Sequence, residues 1–280
     1  MNDRTKRQHS RRARVVPHTA ATMDWVGEES EGQFDPPSWK HLMLEARAPA
    51  EFLAGLASFW VDHWFPRGDG HPVLVFPGMG ASDRSTFLLR RFLKRLGYQA
   101  FGWEQGLNLG PRHGVLSQCR DRVHELNERF DRPVTLIGWS LGGIYAREMA
   151  KLEPARVRQV ITLASPFAGS PHATNAYPLF RLLTGHHVHR EPGLLDRIRE
   201  APPVPTTSIY SRTDGIVSWV CSVQQSAPLA ENIEVRASHL GIGFNPLALF
   251  AVADRLSQDE KRWQPFEMQG LRRYLFAPNT

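Results

Sequence analysis

"GWSLGG", residues 138–143, follows directly on the apolar run "PVTLI" of residues 133–137. The run reads as a buried strand, and "LGGIYAREMAKL" (141–152) after it has helical spacing. A strand that turns into a helix within one residue forces Ser140 into a strained backbone conformation. It also brings the positions two before and two after into collision. Gly138 and Gly142 remove the colliding side chains, and Gly143 lets the helix lie close to the sheet. The Ser140 hydroxyl then projects above the sheet edge at a helix N-terminus, where the dipole and free N–H groups favour developing negative charge. This is a G-x-S-x-G pattern with Ser140 as candidate nucleophile. A serine–glycine turn without chemistry is the alternative that the rest of the chain must exclude.

Working outward, strands and helices alternate. "PVLVF" (72–76), "YQAFGW" (98–103), "VTLIGW" (134–139) and "VRQVITLA" (157–164) read as strands. Helices are expected over 83–96, 114–130 and 141–152. That rhythm implies a parallel sheet covered on both faces. Residues 166–203 break it with many Pro, Gly and His, leaving two short helical pieces near 176–184 and 193–200. They read as an insertion over the sheet. "TTSIYS" (206–211), "NIEVRA" (232–237) and a helix at 246–257 resume the pattern. Residues 258–280 form a tail whose apolar side chains, Phe266, Leu271, Tyr274 and Leu275 among them, must pack somewhere.

A serine hydroxyl needs a base, and the base needs an orienting acid. In a strand–serine–helix architecture the acid follows the nucleophile and the histidine comes last. Asp214, in "SIYSRTDGIV", sits just past a strand end, and His239, in "VRASHLGIGFNP", sits past the last strand. Alone, Asp214 reads as a turn residue and His239 as a loop histidine. Behind Ser140 in this order they read as acid and base. His172, His186, His187 and His189 precede Asp214 and would break the order. "HHVH" could bind a metal, but it lacks cysteine or carboxylate partners at ligand spacing, and an exposed loop is the plainer reading. An oxyanion needs two backbone donors. The Leu141 N–H follows the nucleophile, and the Met79 N–H in "PGMGASD" supplies the second, with Gly78 and Gly80 permitting close approach. Ser82 and Asp83 in the same loop also read as a helix N-cap. Trp139, beside the nucleophile, and Phe167, Tyr177 and Phe180 in the insertion are the candidate substrate-binding residues. Simple burial of the insertion explains the last three equally well.

Together these residues resemble the α/β-hydrolase superfamily, in its bacterial lipase and esterase branch, over about residues 66–258. "PGMG" is similar to the His-Gly-x oxyanion loop of lipases, with Pro77 where histidine is usual. The resemblance implies the α/β-hydrolase fold: a mostly parallel central sheet, helices on both faces, and residues 166–203 as a small cap. It implies Ser140, Asp214 and His239 as a triad, and an acyl-enzyme route without a cofactor. It implies a carboxylic-ester hydrolase acting on small-molecule ester or lipid substrates with an apolar portion. Acyl transfer, thioester or amide cleavage with the same triad, and a non-catalytic binding protein of this fold, remain the alternatives.

Composition bounds the rest. The chain has 280 residues, 41% of them hydrophobic, enough for one sizeable core. The net charge is +6, but residues 1–16 hold six basic side chains against Asp3, a net +5, which leaves +1 for residues 17–280. A basic nucleic-acid-binding face is therefore not expected. Residues 1–37 read as a disordered basic arm, which leaves a weak membrane-surface association open. Residues 38–65 read as a helical segment in which Phe52, Leu53, Leu56, Phe59, Trp60 and Trp64 form a stripe packed on the core. A membrane-surface helix is the minority reading, because basic residues are missing from its polar side. Cys119 and Cys221 show no metal spacing and read as two buried thiols. The basic start is not followed by an apolar segment, so a soluble cytoplasmic chain is expected.

Overall fold

The computed structural model describes residues 35–169, 172–184, 193–260 and 262–277. Most of the expected basic arm, and His186, His187 and His189, lie outside the described residues. Two short helices come first, α1 (Trp39–Leu44) and α2 (Ala48–Ala57). The alternating unit follows: β1 (Pro72–Phe76), α3 (Phe87–Arg95), β2 (Gln99–Gly102), α4 (Val115–Phe130), β3 (Val134–Trp139), α5 (Leu141–Leu152) and β4 (Val157–Leu163). Helices α6 (Tyr177–Thr184) and α7 (Leu194–Arg199) lie between β4 and β5 (Thr206–Tyr210). β6 (Ala230–Glu234), α8 (Pro246–Leu256) and α9 (Arg272–Leu275) complete the order.

The sheet runs β2-β1-β3-β4-β5-β6, and every pairing is parallel. The chain leaves β1 for β2 on one side and returns to β3 on the other. Helices therefore cover both faces, and a crevice opens where the order reverses, at the C-terminal ends of β1 and β3. One face packs α3 and α8 through Leu89, Phe92, Leu93, Leu249 and Val252. The other packs α4 and α5 through Val123, Leu126, Ile144 and Met149. Strands β1, β3, β4 and β5 are buried along their whole length, as strands between two helical layers must be. Burying each such Val, Leu, Ile or Phe contributes about 1.5–3 kcal/mol.

Three expectations need correction. The last strand is Ala230–Glu234, not 232–237. It enters two residues early because Ala230 and Glu231 register against Thr206 and Thr207. Helix α3 starts at Phe87, and Ser82 and Asp83 do not cap it. The Asp83 carboxylate instead accepts the N–H groups of Trp103 and Glu104, both at 3.0 Å, and so ties the loop after β1 to the end of β2. The third concerns α2. Its buried residues are Glu51 and Gly55, while Phe52, Leu53 and Leu56 of the stripe are exposed. Gly55 lies so close to the Phe244 carbonyl that a Cβ would sit 2.5 Å from it. Phe59 does turn inward, edge-on to Phe92 at 5.6 Å. In the tail, Phe266 and Phe276 join the core, and Leu271, Tyr274 and Leu275 stay exposed. Among the described residues, no helix is long and apolar enough to cross a membrane.

Candidate active site

Ser140 stands between β3 and α5 with φ 52° and ψ −124°. A non-glycine residue at positive φ costs about 1–3 kcal/mol and persists only where its surroundings enforce it. Here they do. The Ser140 N–H donates to the Leu163 carbonyl at 2.8 Å, and its own carbonyl accepts from Gly143 at 2.9 Å. A Cβ on Gly138 would lie 2.2 Å from the Gly143 Cα, and one on Gly142 would lie 2.4 Å from the Phe76 carbonyl oxygen. The elbow closes only with glycine at both positions. The hydroxyl thus sits at the N-terminus of a twelve-residue buried helix, where backbone N–H groups favour an anion.

Asp214 follows β5. Its Oδ1 accepts the N–H groups of Ile216 and Val217, each at 2.8 Å. Its Oδ2 lies 2.7 Å from His239 Nδ1. Both side chains are buried. Burial alone drives the imidazole pKa down. The charge and hydrogen bond of Asp214, and then the charge of Glu45, outweigh it and hold that pKa above the usual 6.5. The histidine main chain is fixed from β3 as well: Trp139 Nε1 donates to the His239 carbonyl at 3.0 Å. The residue beside Ser140 is thereby bonded to the residue carrying the imidazole.

The sequence reading missed Glu45, Glu51 and Asn108. Glu45, in the turn between α1 and α2, accepts through Oε1 from Gly215 N–H at 2.8 Å and His239 N–H at 2.9 Å. Its Oε2 accepts from Leu240 N–H at 3.0 Å. One carboxylate thus bridges the loop carrying Asp214 and the loop carrying His239. Glu51 accepts from Ser238 N–H at 3.0 Å, and Arg47 donates to Thr213 Oγ1 at 2.7 Å. The available signal was an acidic residue on an otherwise apolar helix face. Asn108 anchors the loop after β1. Its Nδ2 donates to the Pro77 carbonyl at 2.8 Å, and its main-chain carbonyl accepts from Gly80 at 2.7 Å. A Cβ on Gly78 would lie 3.3 Å from the Ser140 Cβ, so this loop packs directly on the serine.

Above Ser140 lies an apolar cleft of about 650 Å³, its open mouth included. Met79, Leu141 and Ile144 line one side, and Phe180, Leu195 and Ile198 from the β4–β5 segment line the other. Of the four candidate substrate-binding residues, only Phe180 reaches this lining. Trp139 turns under the histidine loop. Phe167 is buried beneath the Arg147 guanidinium, 3.8 Å from its ring. Tyr177 packs on His172, with ring centroids 4.1 Å apart. Among the described residues no three His, Cys, Asp or Glu side chains gather as a metal site, and both cysteines are buried thiols.

A 104-residue stretch is 32% identical to the pimeloyl-[acyl-carrier protein] methyl ester esterase of Legionella pneumophila strain Paris, covering 37% of this chain and 41% of that protein. The chain spans less than half the length of the curated relatives that it matches. Among solved structures, the propeptide form of Bacillus licheniformis lipase BlEst2 aligns over 73% of this chain and 54% of its own, at TM-score 0.51 and 18% identity. Aspergillus fumigatus lipase B aligns over 71% and 57%, at TM-score 0.48 and 20% identity. At 18% identity the likeness to BlEst2 is one of fold. The family model described as "Alpha/beta hydrolase family" matches residues 48–276, most of the chain. With that match and a parallel sheet whose crevice holds a strained Ser140, this chain belongs to the alpha/beta hydrolase family.

Proposed function

We propose that this chain is a serine carboxylic-ester hydrolase working through an acyl-enzyme. The observation that carries the reading is the buried Asp214–His239 pair at 2.7 Å, bonded through Trp139 to the strand that ends at Ser140. In the first step His239 Nε2 accepts the Ser140 Oγ proton as Oγ bonds to the carbonyl carbon. The Met79 and Leu141 N–H groups stabilise the oxyanion, each donor worth roughly 3–4 kcal/mol in the transition state. Asp214 fixes the imidazole tautomer and stabilises the imidazolium. The imidazolium gives its proton to the leaving alcohol as the C–O bond breaks. A water molecule, deprotonated by His239, then attacks the acyl-enzyme, and Ser140 recovers its proton as the acid departs.

The apolar lining of the cleft supports an acyl portion of apolar character, with α6 and α7 acting as its cap. Methyl-ester cleavage, the activity in the name of the curated relatives, agrees with a carboxylic-ester substrate. Acyl transfer and thioester or amide cleavage would use the same residues. A panel of fluorogenic esters, thioesters and amides, with Ser140→Ala as control, ranks them.

Fluorophosphonate labelling tests the mechanism. One adduct is expected, on Ser140. It should vanish in Ser140→Ala and form far more slowly in His239→Ala. Labelling at the wild-type rate in either variant overturns the assignment. Turnover in Ser140→Ala should fall by about 10⁶-fold.

A further inference from the structure

Helix α7 has six residues and no side-chain cap at its N-terminus. A helix that short does not hold itself together in water. It nevertheless supplies Leu195 and Ile198 to the cleft wall that faces Leu141 and Ile144. What secures it is its C-terminal end. The last four carbonyls of a helix have no partner within it, and here they belong to Arg197, Ile198, Arg199 and Glu200. Two cations from α5 take all four. Lys151 Nζ donates to the Arg197 carbonyl. Arg147 Nη2 donates to Glu200 at 2.9 Å, to Arg199 at 3.1 Å and, more weakly, to Ile198 at 3.4 Å. Positive charge at a helix C-terminus also suits the helix dipole.

The two cations continue the cleft lining along α5, which begins directly after Ser140. Leu141, Ile144, Arg147 and Lys151 follow one another at spacings of three, three and four, so they share one helix face. The first two line the cleft and the last two grip α7. Arg147 is fully buried, with the Phe167 ring 3.8 Å from its guanidinium. Its Nε and Nη1 meet no hydrogen-bond acceptor among the described residues. Burying such a group costs desolvation that its bonds only partly return. What it delivers is geometry, because the helix that carries the nucleophile also fixes the wall facing it.

We infer that Arg147, with Lys151 beside it, is a positioning residue for substrate selection: it seats α7 so that Leu195 and Ile198 meet the far part of an apolar acyl chain bound at Ser140. The substrate class that follows is esters whose acyl chain is long enough to reach α7, preferred over acetyl esters. The inference rests on the ester-hydrolase reading above and adds what sets its chain-length preference.

Steady-state hydrolysis of p-nitrophenyl octanoate and p-nitrophenyl acetate tests this. The wild type should favour the octanoate. Arg147→Met keeps the bulk and removes the donors. Its octanoate-to-acetate ratio of kcat/KM should fall at least about tenfold, as for the loss of one buried Leu or Ile contact, with the change carried by KM for the octanoate. A misfolded fraction would lower both substrates alike and leave the ratio where it was. Arg147→Lys retains a cation with three donors and should recover part of the ratio. Lys151 is partly exposed, so Lys151→Met keeps the test open where Arg147→Met does not fold, with a fall of about threefold expected. Amide hydrogen exchange needs no substrate: residues 194–200 should exchange at least about tenfold faster in the folded variant, with β3 unchanged. A wild type that favours the acetate, a ratio unmoved in the folded variant, a fall carried by kcat alone, or α7 amides as protected as in the wild type would each overturn the role of Arg147. Where such a chain still labels on Ser140 with fluorophosphonate, the hydrolase reading stands. A wild type that neither labels nor cleaves either ester removes that reading and this one with it.

Discussion

Trp139 donates its indole N–H to the main-chain carbonyl of His239 across 3.0 Å, joining two residues a hundred positions apart. The ring is fixed in turn: Phe244 packs edge-on at 5.3 Å, and a Cβ on Gly243 would lie 2.5 Å from it. The strand that delivers the serine therefore also sets the height of the histidine loop. Trp139→Phe keeps most of the packing and removes the donor, leaving a buried carbonyl unpaired at a cost of about 1–3 kcal/mol. We expect a lower Tm, by roughly 2–4 °C per kcal/mol, and slower labelling of Ser140. An unchanged labelling rate would mean that the imidazole does not rely on this bond.

Glu45 offers a test that separates charge from scaffolding. Its carboxylate holds both the acid loop and the histidine loop, and it adds negative charge near an imidazole already facing Asp214. A carboxylate nearby favours the imidazolium, so removing it lowers the histidine pKa. The base must be neutral to accept the serine proton. The acid limb of labelling rate against pH should therefore lie above pH 6.5 in the wild type and move to lower pH in Glu45→Gln. Glu51 on Ser238 and Arg47 on Thr213 stay in place in both proteins and cancel from the comparison. A variant that loses rate without moving the limb would make Glu45 a scaffold only.

Asn108→Ala should act on the oxyanion loop. The Asn108 side chain is fully buried and supports the Pro77 carbonyl two residues before Met79, while Tyr145 donates to its Oδ1 at 3.3 Å. Under the proposed mechanism, the Met79 N–H freed from that anchor would lose its aim at the developing oxyanion rather than at the bound ester. We expect kcat to fall by about tenfold or more with KM nearly unchanged, the pattern of an interaction made in the transition state. Equal changes in both constants would argue against the assignment.

Much of this fold was legible along the chain because the decisive pieces are local. Residues 72–76 and 134–139 are continuous apolar runs, and the elbow needs glycine at positions fixed by Ser140 itself. What escaped depends on partners far away. β6 begins with Ala230 and Glu231, and a glutamate does not announce a buried strand. It is admitted because Thr207 Oγ1, Arg255 and the Phe266 N–H all donate to its carboxylate. Glu45 and Glu51 meet their main-chain donors across 170 residues or more, so the stripe beside them read as core when, Phe59 apart, it faces outward. Of the cleft, the serine side could be anticipated. The choice of Phe180 over Phe167 and Tyr177 could not, because Phe167 is taken up by the Arg147 guanidinium and Tyr177 by the His172 ring, contacts set by tertiary packing and by no local pattern.

A second buried histidine, at the N-terminal ends of the strands, opposite the candidate site, predicts how stability depends on pH. His71 leads into β1 and is fully buried. Its Nδ1 pairs with Asp69 at 2.5 Å, and its Nε2 lies 2.9 Å from Thr135 Oγ1. Burial, with the Arg158 charge behind it, outweighs the Asp69 carboxylate and lowers its pKa to about 4. The unfolded chain, with an ordinary histidine near 6.5, then binds more protons than the folded one between those values. Stability contributed by the neutral ring is present above about pH 6.5 and is lost as pH falls toward 4, by at most on the order of 3 kcal/mol. His239 has the opposite sign: its raised pKa adds stability below 6.5 that is lost as pH rises through the folded value. The two are separated by difference. His71→Asn should be less stable than wild type at pH 7, with a shallower decline in Tm from pH 6.5 to 4. Parallel declines in the two proteins would show that His71 is not the group being titrated.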